Sequence, residues 1–340
     1  MVDTKQDTTQ NVVGKRIQWD DLDPKKYYFF NGLLGGSIDL MMYPLDVIRT
    51  RLQVQGSISI QQKFPHYTGT FDGLKKLYTN EGFKGYYKGF LTSEVGYLSS
   101  RAIYFGTYEV LKQSFQKFTN QSHLDESSEQ LFMITTISGG IAEMFATLIW
   151  VPFDVATQTV QIQDPKNPEY RPGLHVFKKI YQERGFTGLY RGFGATMIKN
   201  VPFSGIWWGT YELTKKKVEQ LNIREKLNIR ERTNKTLSVS DGKPHQVQDE
   251  DPITHLISGF AAAVISTTIT NPLDVAKTRL QTGTFEKGQK VNFISVIKDT
   301  VRKEGVRALW KGLVPSLLTS TPYSMMSIIL YEEVKKLSLK

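Results

Sequence analysis

Six carboxylates recur at matched positions along this 340-residue chain. Asp46, Asp154 and Asp274 each stand two residues after a proline (Pro44, Pro152, Pro272). Glu109, Glu212 and Glu332 each follow a tyrosine (Tyr108, Tyr211, Tyr331) and precede a lysine by three residues (Lys112, Lys215, Lys335). Acids and bases in threefold recurrence suit ion pairs. No nucleophile–base pair accompanies them, so they do not suit covalent catalysis, and no enzyme activity is expected. Cysteine is absent, which excludes disulfides, thiolate metal sites and cysteine nucleophiles. His66, His123, His175, His245 and His255 are scattered without helical ligand spacing, so neither a metal nor a cofactor is expected. The net charge of +10 alone would suit a nucleic-acid binder, but the order of the residues argues against one.

That order is a repeat, the feature to seek first. Nine residues after each proline comes a glutamine: Gln53, Gln161 and Gln281. Further on comes an aromatic-basic-Gly mark, Tyr87-Lys88-Gly89, Tyr190-Arg191-Gly192 and Trp310-Lys311-Gly312. The step from that glycine to the Tyr-Glu pair is 19 residues all three times. The chain thus divides into three units, 25–118, 129–220 and 252–338, with an N-terminal extension 1–24 and a polar linker 221–251. The linker reads as a solvated loop or a regulatory segment.

The elements positioning these marks emerge from apolar patterning. Before each proline lies a Gly-rich apolar stretch: 27–43, 131–151, 253–271. After each aromatic-basic-Gly lies another: 90–111, 193–213, 313–331. Each is about long enough to cross the ~30 Å hydrocarbon core as a helix. Asp39, Glu94, Arg101, Glu143 and Lys199 interrupt them singly, as charges do when they face a protein interior or a wet cavity. A soluble bundle would show continuous polar stripes instead. Pro44, Pro152 and Pro272 must kink or end their helices. A short amphipathic segment lies beyond each (71–78, 174–182, 293–303) and reads as a helix on the membrane surface. The expected fold is an all-α membrane protein. Six transmembrane helices form three pseudo-symmetric repeats, each with a surface helix, and both termini lie on one side.

This pattern resembles the mitochondrial carrier family, from Tyr27 to Lys336. The resemblance implies a six-helix bundle around a central cavity, with the surface helices on the matrix side. It implies a monomeric metabolite transporter of the mitochondrial inner membrane, with both termini toward the intermembrane space. The run Trp19–Tyr27, the run Arg49–Gln55, the pair Trp207-Trp208 and the ending Lys335–Leu339 are similar to the family's carriers of branched-chain amino acids. Residues Met1–Asp20 show neither the apolar core of a secretory signal nor an Arg-rich, acid-free pattern, and the resemblance leads to the expectation of internal targeting information instead.

The resemblance also implies two gates. On the matrix side Asp154 would pair with Lys277 and Asp274 with Arg49. Asp46 would face position 157, which is Thr157 and not a base. Gln53, Gln161 and Gln281 would brace these pairs. On the cytoplasmic side Glu109–Lys215, Glu212–Lys335 and Glu332–Lys112 would complete a ring. Gly89, Gly192 and Gly312, with their basic neighbours, resemble the family's cardiolipin sites, or else form a basic surface anchor. The family's acid-Gly mark is present as Glu81-Gly82 and Glu304-Gly305, but the second repeat has Arg184-Gly185.

A small metabolite lacks threefold symmetry, so residues that break the repeat are candidates for its site. Counting back seven and eleven residues from Asp46 and Asp154 gives Asp39 and Glu143, on the same helix face as those acids. The resemblance places Gly96, Lys199 and Thr319 in a contact layer, with Tyr97 and Asn200 beside them and Arg101 nearby. One lysine suits a carboxylate, the acids suit an ammonium, and Gly96 would leave room for a side chain. The expected cargo is a neutral, apolar amino acid, with another small amino acid or a 2-oxo acid as alternatives. A non-transporting membrane scaffold is a further alternative. Asp39 with Arg101, and Glu143 with Lys199, can instead satisfy each other, and the two tryptophans can pack against lipid.

Overall fold

The computed structural model describes residues 23–57, 64–118, 129–171, 173–220, 252–283 and 291–338. The expected linker, most of the N-terminal extension and the run from Trp19 to Leu22 lie outside them. Among the described residues every regular element is helical. The order is α1 (Pro24–Val54), α2 (Thr70–Glu81), α3 (Phe90–Phe118), α4 (Glu129–Gln161), α5 (Leu174–Leu189), α6 (Phe193–Gln220), α7 (Pro252–Thr282), α8 (Phe293–Glu304) and α9 (Leu313–Leu337). Short 3₁₀ turns, Phe83–Tyr87 and Val306–Trp310, lead into α3 and α9. Thr136–Gln161 in α4 and Ile253–Thr282 in α7 are long and apolar enough to cross a membrane.

The odd helices do not end at their prolines. α1, α4 and α7 run on through Pro44, Pro152 and Pro272 to the matched glutamines or just beyond. A proline inside a helix forfeits one hydrogen bond and crowds the preceding turn. Burial of the helical turns beyond each proline offsets that cost. Val47, Ile48, Leu52 and Val54 form one core with Tyr67 and Leu77 of the α2 region. Val151, Val155 and Val160 form a second with Val176 and Ile180 of α5. Ala276 and Leu280 form a third with Ala195 and Val296. Each fully buried Val, Leu or Ile contributes about 1.5–3 kcal/mol. The surface helices are thus held as apolar lids on the odd-helix ends.

Glycines with positive φ turn the chain between these pieces. Gly82 (φ 65) and Gly305 (φ 83) terminate α2 and α8, and Gly185 (φ 67) breaks α5 into two segments. Gly89, Gly192 and Gly312 (φ 83, 83 and 78) precede the even helices and are closely packed as well. A methyl on Gly192 would lie 2.7 Å from Gln281, and one on Gly312 2.9 Å from Gln53. Both conformation and space therefore demand glycine there.

The chain divides into two compact bodies. One comprises 39–207 with 264–320 and contains all three cores. The other comprises 1–38, 208–263 and 321–340. In it the Asp23 N–H donates to the Ser338 carbonyl at 2.7 Å, and Tyr211 stacks on His255.

Candidate functional site

Within the first body, the odd-helix ends bring the three Pro-x-Asp acids into one polar cluster. Each turn beyond the proline carries an acid, then position three residues on, then the glutamine; that middle position is a base in repeats one and three. Asp154 takes Lys277 Nζ at 2.9 Å and the amide of Gln281 at 2.9 Å. Gln158 adds a bond to Asp154 at 2.8 Å and one to Gln281 at 2.9 Å. Asp274 takes Arg49 Nε at 3.2 Å, with a second, shorter bond from Nη2, and the amide of Gln53 at 2.7 Å. Thr278 donates to Gln53 at 2.7 Å and fixes that amide.

The third corner differs. Asp46 has Arg49 of its own helix 3.8 Å away. Position 157 holds a buried threonine whose hydroxyl has no hydrogen-bond partner among the described residues. Gln161 does not brace an acid: its amide donates to Tyr43 at 3.0 Å, and Tyr43 donates to the Lys88 carbonyl at 3.0 Å. The side chain of Asp46 is 41% exposed, against 11% for Asp154 and 7% for Asp274. Without a base from the next helix, nothing draws that carboxylate inward.

Lys199 lies nearer this cluster than the substrate acids suggested by sequence. Its Nζ is 3.8 Å from Asp274 and sits over the Phe203 ring. Its neighbour Asn200 donates to Glu143 at 3.2 Å, and Thr147 contributes a long contact to Glu143 at 3.5 Å. Residues 199 and 200 therefore reach from α6 toward two different acids, one on α7 and one on α4. Asp39 is partly buried on α1. Arg101 donates to the Tyr97 hydroxyl and lies over the rings of Tyr97 and Phe105 on its own helix. Thr319 gives its hydroxyl to the Pro315 carbonyl at 3.0 Å.

Two expectations need correction. Gly96 leaves no room for a cargo side chain: a methyl there would collide with Phe153 Cβ, so this glycine lets α3 approach α4 closely. The basic neighbours of the marker glycines pair within the chain in the first and third repeats, so any phosphate at those marks relies on backbone N–H groups. Lys88 binds Glu81 at 2.5 Å, and Lys311 binds Glu304 at 2.6 Å.

These contacts belong to two networks whose central arginines the sequence left without a role. Arg51 is fully buried; its Nε donates to the Gln161 carbonyl at 2.9 Å, and its guanidinium grips Glu81 at 2.5 and 3.1 Å. Arg279 does the same in the third repeat, donating to the Gln53 carbonyl at 2.9 Å and to Glu304. Burial alone would raise the Glu81 and Glu304 carboxyls, but these hydrogen bonds and charges outweigh it and hold both below the ordinary value. The signal was present: Arg51 and Arg279 stand seven residues after Pro44 and Pro272, where the second repeat has Thr159. The same repeat replaces the acid with Arg184.

Of the second charged ring expected from the sequence, the side chains of Tyr331, Glu332 and Lys335 lie outside the described residues. Gln113 donates to Glu109 at 2.9 Å, Lys112 lies over the Tyr108 ring, and Tyr211 shares a hydrogen bond with His255.

A helix–surface helix–helix unit built three times, with a charged cluster at the odd-helix ends, defines a carrier-type repeat protein. Comparison with known proteins agrees. The family model described as mitochondrial carrier protein matches residues 24–119, 128–221 and 248–340. Mitochondrial substrate carrier family protein J of Dictyostelium discoideum is 66% identical over 332 residues, covering 96% of this chain and 95% of that protein. Solute carrier family 25 member 44 of Homo sapiens is 31% identical, covering 95% and 94%. Mitochondrial thiamine diphosphate carrier 1 of Arabidopsis thaliana is 28% identical, covering 88% and 90%. The chain belongs to the mitochondrial carrier family, whose members are multi-pass transporters of the mitochondrial inner membrane, not enzymes.

Proposed function

We propose that this carrier moves a neutral, apolar amino acid of the branched-chain type across the inner membrane by alternating access. In this reading six helices span the membrane, the Pro-x-Asp cluster is the matrix gate, and the Tyr-Glu-x-x-Lys marks form the cytoplasmic gate. The termini face the intermembrane space, the protein works as a monomer, and cardiolipin phosphates dock at Gly89, Gly192 and Gly312.

The observation that carries this reading is the double reach of Lys199 and Asn200. Lys199 is 3.8 Å from the gate acid Asp274, and Asn200 binds Glu143 at 3.2 Å. A cargo carboxylate competes with Asp274 for Lys199. Its ammonium is taken by Glu143, with Asp39 also facing the path. Asp274 then keeps Arg49 but loses one of its two cations, which loosens the gate from within. A ligand shifts such an equilibrium only through differential affinity for the two states, and a lysine shared between gate and cargo supplies it.

The test is uptake into liposomes by purified protein, with labelled valine or leucine, the matching 2-oxo acids, and thiamine diphosphate as separate arms. Uptake of the amino acids is expected, lost in Lys199→Ala and weakened in Asp39→Asn. Preference for the 2-oxo acids, with Asp39→Asn neutral, would reassign the cargo. No uptake of any arm by folded protein would leave a non-transporting scaffold.

A further inference from the structure

Each complete seam between repeats is closed by a carboxylate of the chain. Gly56, just past the end of α1, has Glu304 and Lys311 standing over it: a methyl there would collide with the Glu304 carboxylate and lie 2.9 Å from Lys311 Nζ. One acid and one base face each other, and Arg279 joins them.

Gly283, just past the end of α7, presents the opposite arrangement. A methyl there would lie 2.9 Å from Nη1 of Arg184 and 2.9 Å from Nη1 of Arg191. Two guanidinium groups therefore converge on one point, their nitrogens within about 6 Å of each other. Arg184 Nη1 is shut off from solvent and has no hydrogen-bond partner among the described residues. The neighbouring Glu183 is engaged elsewhere, by the Tyr170 hydroxyl at 2.5 Å and by Lys179 at 3.7 Å. Thr159 gives its hydroxyl to its own helix, at the Val155 carbonyl. Burial and the charge of Arg184 both push the Arg191 guanidinium below its ordinary value. Two half-buried like charges around an unsatisfied, solvent-shielded donor are costly unless an anion completes them.

We propose that Arg184 and Arg191 form a binding site for a phosphate-class oxyanion, which supplies between repeats two and three the negative charge that Glu304 supplies between repeats three and one. A tetrahedral oxyanion between the two guanidinium groups accepts from both, and arginine forks match phosphate oxygens well. The source is either free phosphate or a lipid headgroup. The proposal is independent of the cargo, because its readout is stability.

The experiment measures thermal midpoints of the full chain in nanodiscs at matched ionic strength. One arm adds inorganic phosphate to phosphatidylcholine discs, against chloride. The other adds phosphatidylglycerol to the discs without phosphate. Stabilisation in the first arm assigns a free anion; stabilisation confined to the second assigns a headgroup. At phosphate 100 times its Kd the folded-to-unfolded ratio rises about 100-fold. Arg184→Gln and Arg191→Gln are each expected to abolish the response. Arg184→Glu is expected to abolish it and raise the baseline, by restoring the acid found in the other repeats. A response undiminished in both glutamine variants overturns the proposal, as does no response in either arm. Glu286 lies outside the described residues and is the competing acid. If Glu286→Gln lowers the baseline and creates a phosphate response absent from the parent, the chain neutralises its own arginines and the proposal fails.

Discussion

The corner where Asp274 meets Arg49 and the corner where Asp46 meets Thr157 occupy equivalent places, yet they are built differently. At the first, a cross-helix ion pair, a glutamine brace and a threonine behind the brace lock an acid that is 7% exposed. At the second, the acid is 41% exposed, and the glutamine has turned to a tyrosine hydroxyl. One missing base therefore goes with two altered side chains, Asp46 and Gln161. The surrounding backbone is unaffected: Gly185 keeps the left-handed turn of Gly82 although arginine precedes it. Backbone geometry is set by apolar lids and glycines, and charge is layered on top of it. This separation lets one repeat lose its ionic closure while its surface helix still packs on the end of its odd helix.

The largest expected effect tests the complete seams. Arg51→Ala or Arg279→Ala leaves a largely buried carboxylate with Lys88 or Lys311 as its remaining partner and should cost up to about 3–5 kcal/mol, read as a loss of thermal stability in nanodiscs. Thr159→Ala, at the matched position, should cost far less. Equal losses would show that the arginines contribute only bulk.

Next, Asp274→Asn removes the negative charge that Arg49, Gln53 and Lys199 share. Uptake should fall by about tenfold or more, one decade per ~1.4 kcal/mol, while Asp46→Asn should change it little. A reversed order would mean the exposed corner is the working one.

Thr157→Lys should supply Asp46 with the missing base and shift the empty carrier toward the state closed at this end. The chain has no cysteine, so a single introduced cysteine above the cluster reports that state by its labelling rate. Unaltered labelling and uptake would sink the idea.

The smallest effect is in pH. Glu81 and Glu304 lie below their ordinary value of 4.5, so their stabilisation is complete above that pH. It is lost as pH falls through their lower folded values. Glu81→Gln should flatten the acid limb of the thermal midpoint, whereas Arg184→Gln should leave that limb unchanged.

The three repeats, the helix starts at Phe90, Phe193 and Leu313 and the three surface helices were legible in the sequence. They depend on apolar spacing and on glycine, which act over a few residues. The acids were legible through recurrence; their cross-repeat bases, and the gap at Thr157, followed from the family resemblance. Where the side chains go was not. That Lys199 turns toward Asp274, that Gly96 is filled by Phe153, that Lys88 and Lys311 fold inward, and that Arg184 and Arg191 meet over Gly283 all depend on how separate elements pack. The sequence by itself determined the threefold scaffold and the positions that break it, because local pattern suffices to form helices and turns. Only the tertiary structure decided which charge answers which, because a side chain's partner is fixed by the packing of helices that can lie over a hundred residues apart.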